Sequence, residues 1–276
     1  MNKLKIYLVP LGVLFSFLLV SFGIYSFAGG LEAVGEVHWK VKEKEVRSRL
    51  LAVPILLYHN IDGKGPFSIE ADVLRQHFQL IRERNIRVIS LKDLVERLEN
   101  PRPFEERVVV ITFDDGYASM YDKLLPLARE FDYPVTLFVY TDFITLRGRR
   151  SLTWKKLREM DRSLIDIQCH TISHADLTRL TGKKGKEVGK KLFDEMLLSR
   201  KIMELRLGKK IEYFAFPFGR YDLEIIALSR NAGYSRVFST DYGSNVITRD
   251  NYCLKRHHIK KNYTLEYFDR LIQQVK

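Results

Sequence analysis

From residue 51 onward, short apolar runs alternate with segments whose apolar positions recur at helical spacing. Residues 53–58 form an apolar run ending in Tyr58 and predict a buried strand; 71–84 predict a helix. A short strand at 87–89 precedes a helix over 91–98. The run at 107–113, with Val108, Val109, Val110 and Ile111 in succession, is the clearest strand in the chain. A helix at 119–131 and a strand at 135–140 come next, then a helix at 154–160 and a strand at 164–169. Residues 187–207 predict a long helix with Val188, Leu192, Met196 and Leu197 on its apolar positions. Strands at 213–216 and 236–239 flank a helix at 223–231, and a helix at 265–275 closes the chain. Strands alternating with helices imply a mainly parallel α/β sheet or barrel covered by helices. No internal repeat and no second-domain boundary is visible. In such folds chemistry gathers at the carboxyl ends of the strands, which tests every motif by its position.

The N-terminal pattern is different. Lys3 and Lys5 precede a run from Ile6 to Ala28 without a charged residue. At 1.5 Å per helical residue this run is long enough to cross a ~30 Å hydrocarbon core. We expect an uncleaved transmembrane helix; a signal peptide cut near Phe27-Ala28-Gly29-Gly30 and a buried core helix are the alternatives. The two lysines favour an inside N-terminus and an extracytoplasmic body. No Cys stands near Ala28 for lipid attachment. The expected organisation is an anchor or signal segment over 1–30, a mixed-charge tether over 31–50, and one domain over 51–276.

Composition is that of a folded protein, with 46% hydrophobic and 29% charged residues, which argues against a disordered or low-complexity chain. Two cysteines exclude a disulfide framework or a Cys-rich zinc module, so any metal must rest on His, Asp or Glu. Cys169 and Cys253 could pair in an oxidising compartment or remain free thiols. The formal net charge is +12. Residues 147–210 hold eighteen Lys and Arg against eight Asp and Glu, so one sector carries nearly all the excess. It reads first as a solvated helical face and second as a patch for a polyanion or lipid headgroups. No nucleic-acid-binding motif accompanies it, and nucleic acid is not an expected partner.

Two motifs stand directly after predicted strands. Thr112-Phe113-Asp114-Asp115-Gly116-Tyr117 places adjacent carboxylates at a strand end, with Gly116 allowing a sharp exit. Two like charges side by side are costly unless a cation shares them or one is protonated; a helix-start Asp with a solvated neighbour is the plainer reading. The strand at 164–169 runs into His170-Thr171-Ile172-Ser173-His174. Two histidines four apart can converge on one metal, although a core His beside a surface one is the commoner meaning of that spacing. One Asp and two His would leave a fourth position for water, as in catalytic zinc sites.

Together, Thr112–Gly116 and His170–His174 resemble the first two motifs of the polysaccharide deacetylases, carbohydrate esterase family four. Tyr133–Val139, Ser151–Trp154, Phe216–Gly219 and Ser239–Gly243 agree with the same family, in order, and the likeness covers residues 51–260. The resemblance implies a distorted (β/α) barrel and metal-dependent removal of acetyl groups from sugars, with zinc as the expected metal. It makes Asp114 the general base and Asp115, His170 and His174 the metal ligands, although the residues alone do not say which carboxylate does which. It also gives the Tyr117 N–H a part in binding the oxyanion.

The chain departs from the common family pattern in three places. The usual proton donor is a late His in a Leu-x-His motif, and here that region reads Cys253-Leu254-Lys255-Arg256-His257-His258. Tyr58-His59 instead resembles the branch of poly-N-acetylglucosamine deacetylases, which makes His59 the expected acid, with His257 or His258 as alternatives. The family's base-orienting Arg has Arg220 as its candidate, in Phe216-Pro217-Phe218-Gly219-Arg220, with a surface Arg as the plainer reading. Asp241 is a candidate groove residue or a turn-forming Asp. The Trp of the usual fourth motif is missing, and Trp154 reads as core. The expected substrate is an extracytoplasmic N-acetylated polysaccharide of the N-acetylglucosamine type. An O-acetyl esterase and a non-catalytic polysaccharide-binding protein of the same fold are the rivals.

Overall fold

The computed structural model describes residues 52–146, 148–181 and 186–273. In chain order the strands are β1 (Ala52–Val53), β2 (Ile55–Tyr58), β3 (Arg87–Val88), β4 (Val108–Asp115), β5 (Val135–Val139), β6 (Ile165–Cys169), β7 (Tyr213–Ala215), β8 (Arg236–Phe238), β9 (Asn245–Val246), β10 (Cys253–Leu254) and β11 (His257–His258). The helices are α1 (Ala71–Glu83), α2 (Leu91–Glu99), α3 (Leu125–Phe131), α4 (Thr141–Leu146), α5 (Trp154–Asp161), α6 (Thr178–Thr181), α7 (Lys186–Leu207), α8 (Leu223–Asn231) and α9 (Leu265–Gln273). The expected pattern holds for the strands and helices it named. α4, α6 and the small strands β9 and β11 were not in it. A π-helical turn at Met120–Leu124 opens the helix expected from 119.

The main sheet runs β10-β8-β7-β6-β5-β4-β2-β11, with β3 attached to β4, and every pair in it is parallel. Its two edge strands, β10 and β11, are consecutive in the chain and separated only by Lys255 and Arg256. Three Cα steps span at most about 11 Å, so the sheet must curl until its edges nearly meet. This is the distorted barrel that the family resemblance implied.

Alternation along the strands sorts the core into two faces. Val109, Ile111 and Phe113 of β4 share a cluster with Val135, Leu137 and Val139 of β5 and with Ile165, Ile167 and Cys169 of β6. Phe78 and Ile81 of α1, Leu157 of α5, Met196 of α7 and Phe268 of α9 belong to it too. The other face carries Ile55, Val108, Val110, Phe138, Phe238 and Leu254, joined by Leu94 and Leu98 of α2. Cys169 and Cys253 are free. With β7 and β8 between their strands they lie about 14 Å apart at the ~4.8 Å strand spacing, far beyond disulfide reach.

Among the described residues no helix is long and apolar enough to cross a membrane. The expected span at 6–28 and the tether at 31–50 lie outside them.

Candidate active site

Alternation alone would send Asp114 and Asp115 to opposite faces of the sheet. Asp114 continues the inward series Val108, Val110, Thr112 at the end of β4. Asp115 has φ 81° and Gly116 φ 94°, and this left-handed pair turns the chain so that the second carboxylate joins the first on one side. A Cβ at Gly116 would come within 2.9 Å of Ile144 and 3.0 Å of Val139, so only glycine fits the turn. Two strands away, His170 N–H bonds to the Val139 carbonyl at 2.9 Å as β6 ends. His174 returns to the same place through a loop with Thr171 at φ 77° and His174 itself at φ 60°.

The three expected ligands do converge. One donor atom each from Asp115, His170 and His174 lie within 4.8 Å of one another. The separations are 3.3 Å from His174 Nε2 to Asp115 Oδ1 and 3.8 Å from His170 Nε2 to the same oxygen. His170 Nδ1 is 2.8 Å from the Ala215 carbonyl, which can only accept, so Nδ1 carries the proton and Nε2 presents its lone pair. Asp115 Oδ1 is buried with no hydrogen-bond partner. Burial and the neighbouring Asp114 charge push this carboxyl up to about 7. Burial pushes His170 down to about 4 and lowers His174, keeping both imidazoles neutral. An orphaned, destabilised carboxylate facing two neutral nitrogens fits a divalent cation.

Asp114 is held differently. Arg256 clamps both its oxygens, at 2.8 and 2.7 Å, while its Nε donates to the Ser239 carbonyl. Both side chains are buried. Burial, the largest single influence, would raise this carboxyl, but the Arg256 charge and hydrogen bonds together with the nearby His170 and His59 overcome it and hold Asp114 down at about 2. So one carboxylate is a stable anion and its neighbour is an open ligand.

His59 directly follows β2 and lines a small cavity of about 200 Å³ with Asp115, Tyr117 and Phe67. Its buried Nδ1 has no partner. Burial pushes it down to about 4, against the pull of Asp114. His258 stacks on it with ring centroids 4.7 Å apart, whereas His257 turns to Ser244 and Tyr242. Tyr117 pairs with Ser151 in an isolated bridge whose hydrogen bonds come from Ala118 and Leu152, leaving the Tyr117 N–H unused by the bridge.

Residues 102–237 match the family model for polysaccharide deacetylases. The Bacillus subtilis (strain 168) protein YxkH, whose name assigns it to the polysaccharide deacetylases, is 24% identical over 224 residues, covering 81% of this chain and 77% of that one. The chain belongs to the polysaccharide deacetylase family. It is 26% identical over 132 residues to the poly-β-1,6-N-acetyl-D-glucosamine N-deacetylase of Escherichia coli (strain K12), a match of 41% of this chain to only 20% of that protein. The Streptococcus pyogenes deacetylase PplD, solved in complex with acetate, superposes with a TM-score of 0.71 at 24% identity, over 82% of this chain and 98% of that one. That likeness establishes the fold.

The region matched to the family contains all four Asp and His residues of the two motifs but neither His59 nor Arg256. Within this deacetylase fold, Arg220 is not the residue that orients Asp114. It bonds to Asp176 at 2.5 Å with its own side chain largely exposed, and Arg256 holds Asp114 instead. Asp241 is exposed; its carboxylate accepts from Tyr221 and Ser239, and its carbonyl accepts from the Arg256 N–H. That backbone bond ties Asp241 to Arg256 at the barrel seam. Trp154 packs against the core as expected.

Two residues escaped the sequence reading. Arg256 sits in a basic Lys-Arg-His-His string that reads as surface, and a fully buried Arg is rare unless paired. Glu195 of α7 accepts from the N–H groups of Ile172 and Ser173 at 3.0 Å each, and from the Ser173 hydroxyl at 2.7 Å. It pins the loop between the two histidines.

Proposed function

We propose that this deacetylase removes N-acetyl groups from an N-acetylglucosamine-type polysaccharide outside the cytoplasm, with the body at 51–276 tethered behind a membrane anchor at 1–30. One observation carries the catalytic part: an Asp-His-His donor triangle adjoins a carboxylate locked as an anion by a buried Arg. The name of the Escherichia coli relative supports the polymer class, and the uncharged run at 6–28 supports the location.

Asp115, His170 and His174 would hold the cation, and a donor set of one oxygen and two nitrogens suits zinc. When bound, such a cation polarises a carbonyl and acidifies water. Asp114, ionised and oriented by Arg256, accepts the proton of the water that attacks the acetyl carbon. The Tyr117 N–H faces the oxyanion that forms. The C–N bond then breaks, acetate leaves, and the departing nitrogen takes a proton from His59. Burial keeps His59 neutral at pH 7, so the proton it delivers is the one released to Asp114 within the same turnover.

A second reading, an O-acetyl esterase, has its own support. An alkoxide leaves more readily than an amine anion, so a histidine pushed down to about 4 suits ester hydrolysis. Parallel assays on matched N-acetyl and O-acetyl oligosaccharides, before and after chelation, decide between them. Ester cleavage without amide cleavage overturns the first reading, and full activity after exhaustive chelation overturns the metal role.

A further inference from the structure

The positively charged sector of the sequence finds a place beside the site. A cavity of about 490 Å³ opens directly against the ligand His174. Phe218 forms one wall, 56% exposed, at φ 58°, with its ring 4.7 Å from that of His174. Arg179, Lys191 and Arg220 line it together with Ser173, Ala175 and Leu180, and the lining holds one carboxylate, Asp176. Arg179 and Lys191 both belong to the basic 147–210 sector.

Asp176 does not cancel these cations. Its Oδ2 accepts a hydrogen bond from Arg220 Nη1 and forms an ion pair with Arg179 Nε at 3.3 Å, and its Oδ1 accepts from the Thr178 N–H and hydroxyl. Each guanidinium has five N–H donors, so both retain spare donors while Asp176 fixes their position. The lining therefore keeps an excess of two positive charges, two of its three cations paired with one carboxylate. An exposed aromatic ring beside aligned guanidinium groups can accept a sugar face and an anionic substituent together. A neutral polymer has no use for these charges. A deacetylated sugar, carrying an ammonium, would be repelled by them.

Resting on the deacetylase reading, we infer that this cavity is a subsite for an acidic sugar, one bearing a carboxylate or phosphate, next to the acetylated sugar at the site. The substrate class is then an anionic polysaccharide rather than a neutral homopolymer. A surface meant for anionic lipid would favour vesicles and show no preference among sugars.

The test is equilibrium binding by the full metal-loaded chain. The probes are a β-linked N-acetylglucosamine tetramer, an alternating N-acetylglucosamine–glucuronate tetramer, a 6-phosphorylated N-acetylglucosamine tetramer and phosphatidylglycerol vesicles. One or both anionic tetramers should bind about tenfold more tightly than the neutral one at low salt, with the advantage shrinking as salt screens it. The winning probe tells carboxylate from phosphate. In the double variant Arg179→Glu, Lys191→Glu the anionic-to-neutral ratio should fall to one or below. Equal or tighter binding of the neutral tetramer overturns the subsite, as does vesicle binding lost in the variant without any sugar preference. Acetate release is measured on the same tetramers. If none is hydrolysed, the deacetylase reading fails, while the binding ratio still decides the subsite.

Discussion

The two ends of the central strands solve opposite problems. At the amino ends of β5, β6 and β7 lies a cavity of about 410 Å³ lined by polar groups that are paired. Lys209 bonds to Asp161 and Asp166 at 2.5 Å each, Gln168 Nε2 donates to Asp166, and Gln168 Oε1 accepts from the N–H groups of Glu212 and Tyr213. At the carboxyl ends the buried atoms Asp115 Oδ1, His59 Nδ1, His257 Nδ1 and His258 Nε2 have no partner. Four of the six described non-glycine residues with positive φ, namely Asp115, Thr171, His174 and Phe218, stand there too. The other two, Asn85 and Asp132, end helices in ordinary turns. Unpaired buried polar atoms and strained backbone are costs that persist where function needs them. The strands are the same; the difference is that one end is closed with hydrogen bonds and the other is left open to a ligand.

Breaking the open end should have the largest effect. His174→Ala should abolish stoichiometric metal in elemental analysis and cut deacetylation by about 10³-fold or more; a metal-replete, active variant would contradict the ligand assignment. Metal affinity should also follow pH. Asp115 sits at about 7, so below that pH a proton competes with the cation, and affinity should climb about tenfold per unit up to pH 7 and then level off. Proton release measured by calorimetry in buffers of different ionisation enthalpy checks the sign.

Next comes the acid. His59→Ala should lose about 10²–10⁴-fold on an N-acetyl substrate while retaining metal, and lose far less on an activated aryl acetate, whose leaving group needs no proton. Equal losses on both substrates would make His59 a structural residue, and a selective loss in His258→Ala alone would move the role to its stacking neighbour.

The Arg256 clamp should give a mixed result. Arg256→Met leaves Asp114 buried without a counter-charge, which should cost about 3–5 kcal/mol in denaturant unfolding. Arg256→Lys keeps the charge but loses the two-pronged geometry, and its kcat should fall with a smaller stability loss. An unchanged kcat would separate Arg256 from the base.

Much of this was open to reading from the order of residues. The 107–113 run announced β4, and the two motifs were placed because each follows a strand. The common destination of Asp114 and Asp115 was not, since alternation assigns them opposite faces and only the positive φ at Asp115 reunites them. Arg220 looked like the base partner because it follows the Phe216-Pro217-Phe218-Gly219 motif, but proximity in sequence does not decide which guanidinium reaches across a barrel.

A smaller effect is expected for Glu195→Gln, which weakens the carboxylate grip on two N–H groups of the ligand loop. Metal affinity should drop about 10–100-fold without a change in the His59-dependent substrate contrast. The smallest is at the closed end. Lys209→Met should lower stability by about 1 kcal/mol and leave kcat/KM unchanged, and a loss of activity there would erase the contrast between the two ends.

Periodicity and composition by themselves determined the parallel α/β body, the strand ends where chemistry would sit, that any metal would rest on His, Asp or Glu, and the expectation of an apolar N-terminal span. These are local properties, written in spacings of two and of three to four residues. The tertiary structure alone decided that Arg256 closes the barrel seam onto Asp114, that Glu195 holds the histidine loop, and that Arg179, Lys191 and Arg220 gather at one cavity. Each of these joins residues far apart in the chain through distances of a few ångströms, and such distances exist only once the sheet has curled.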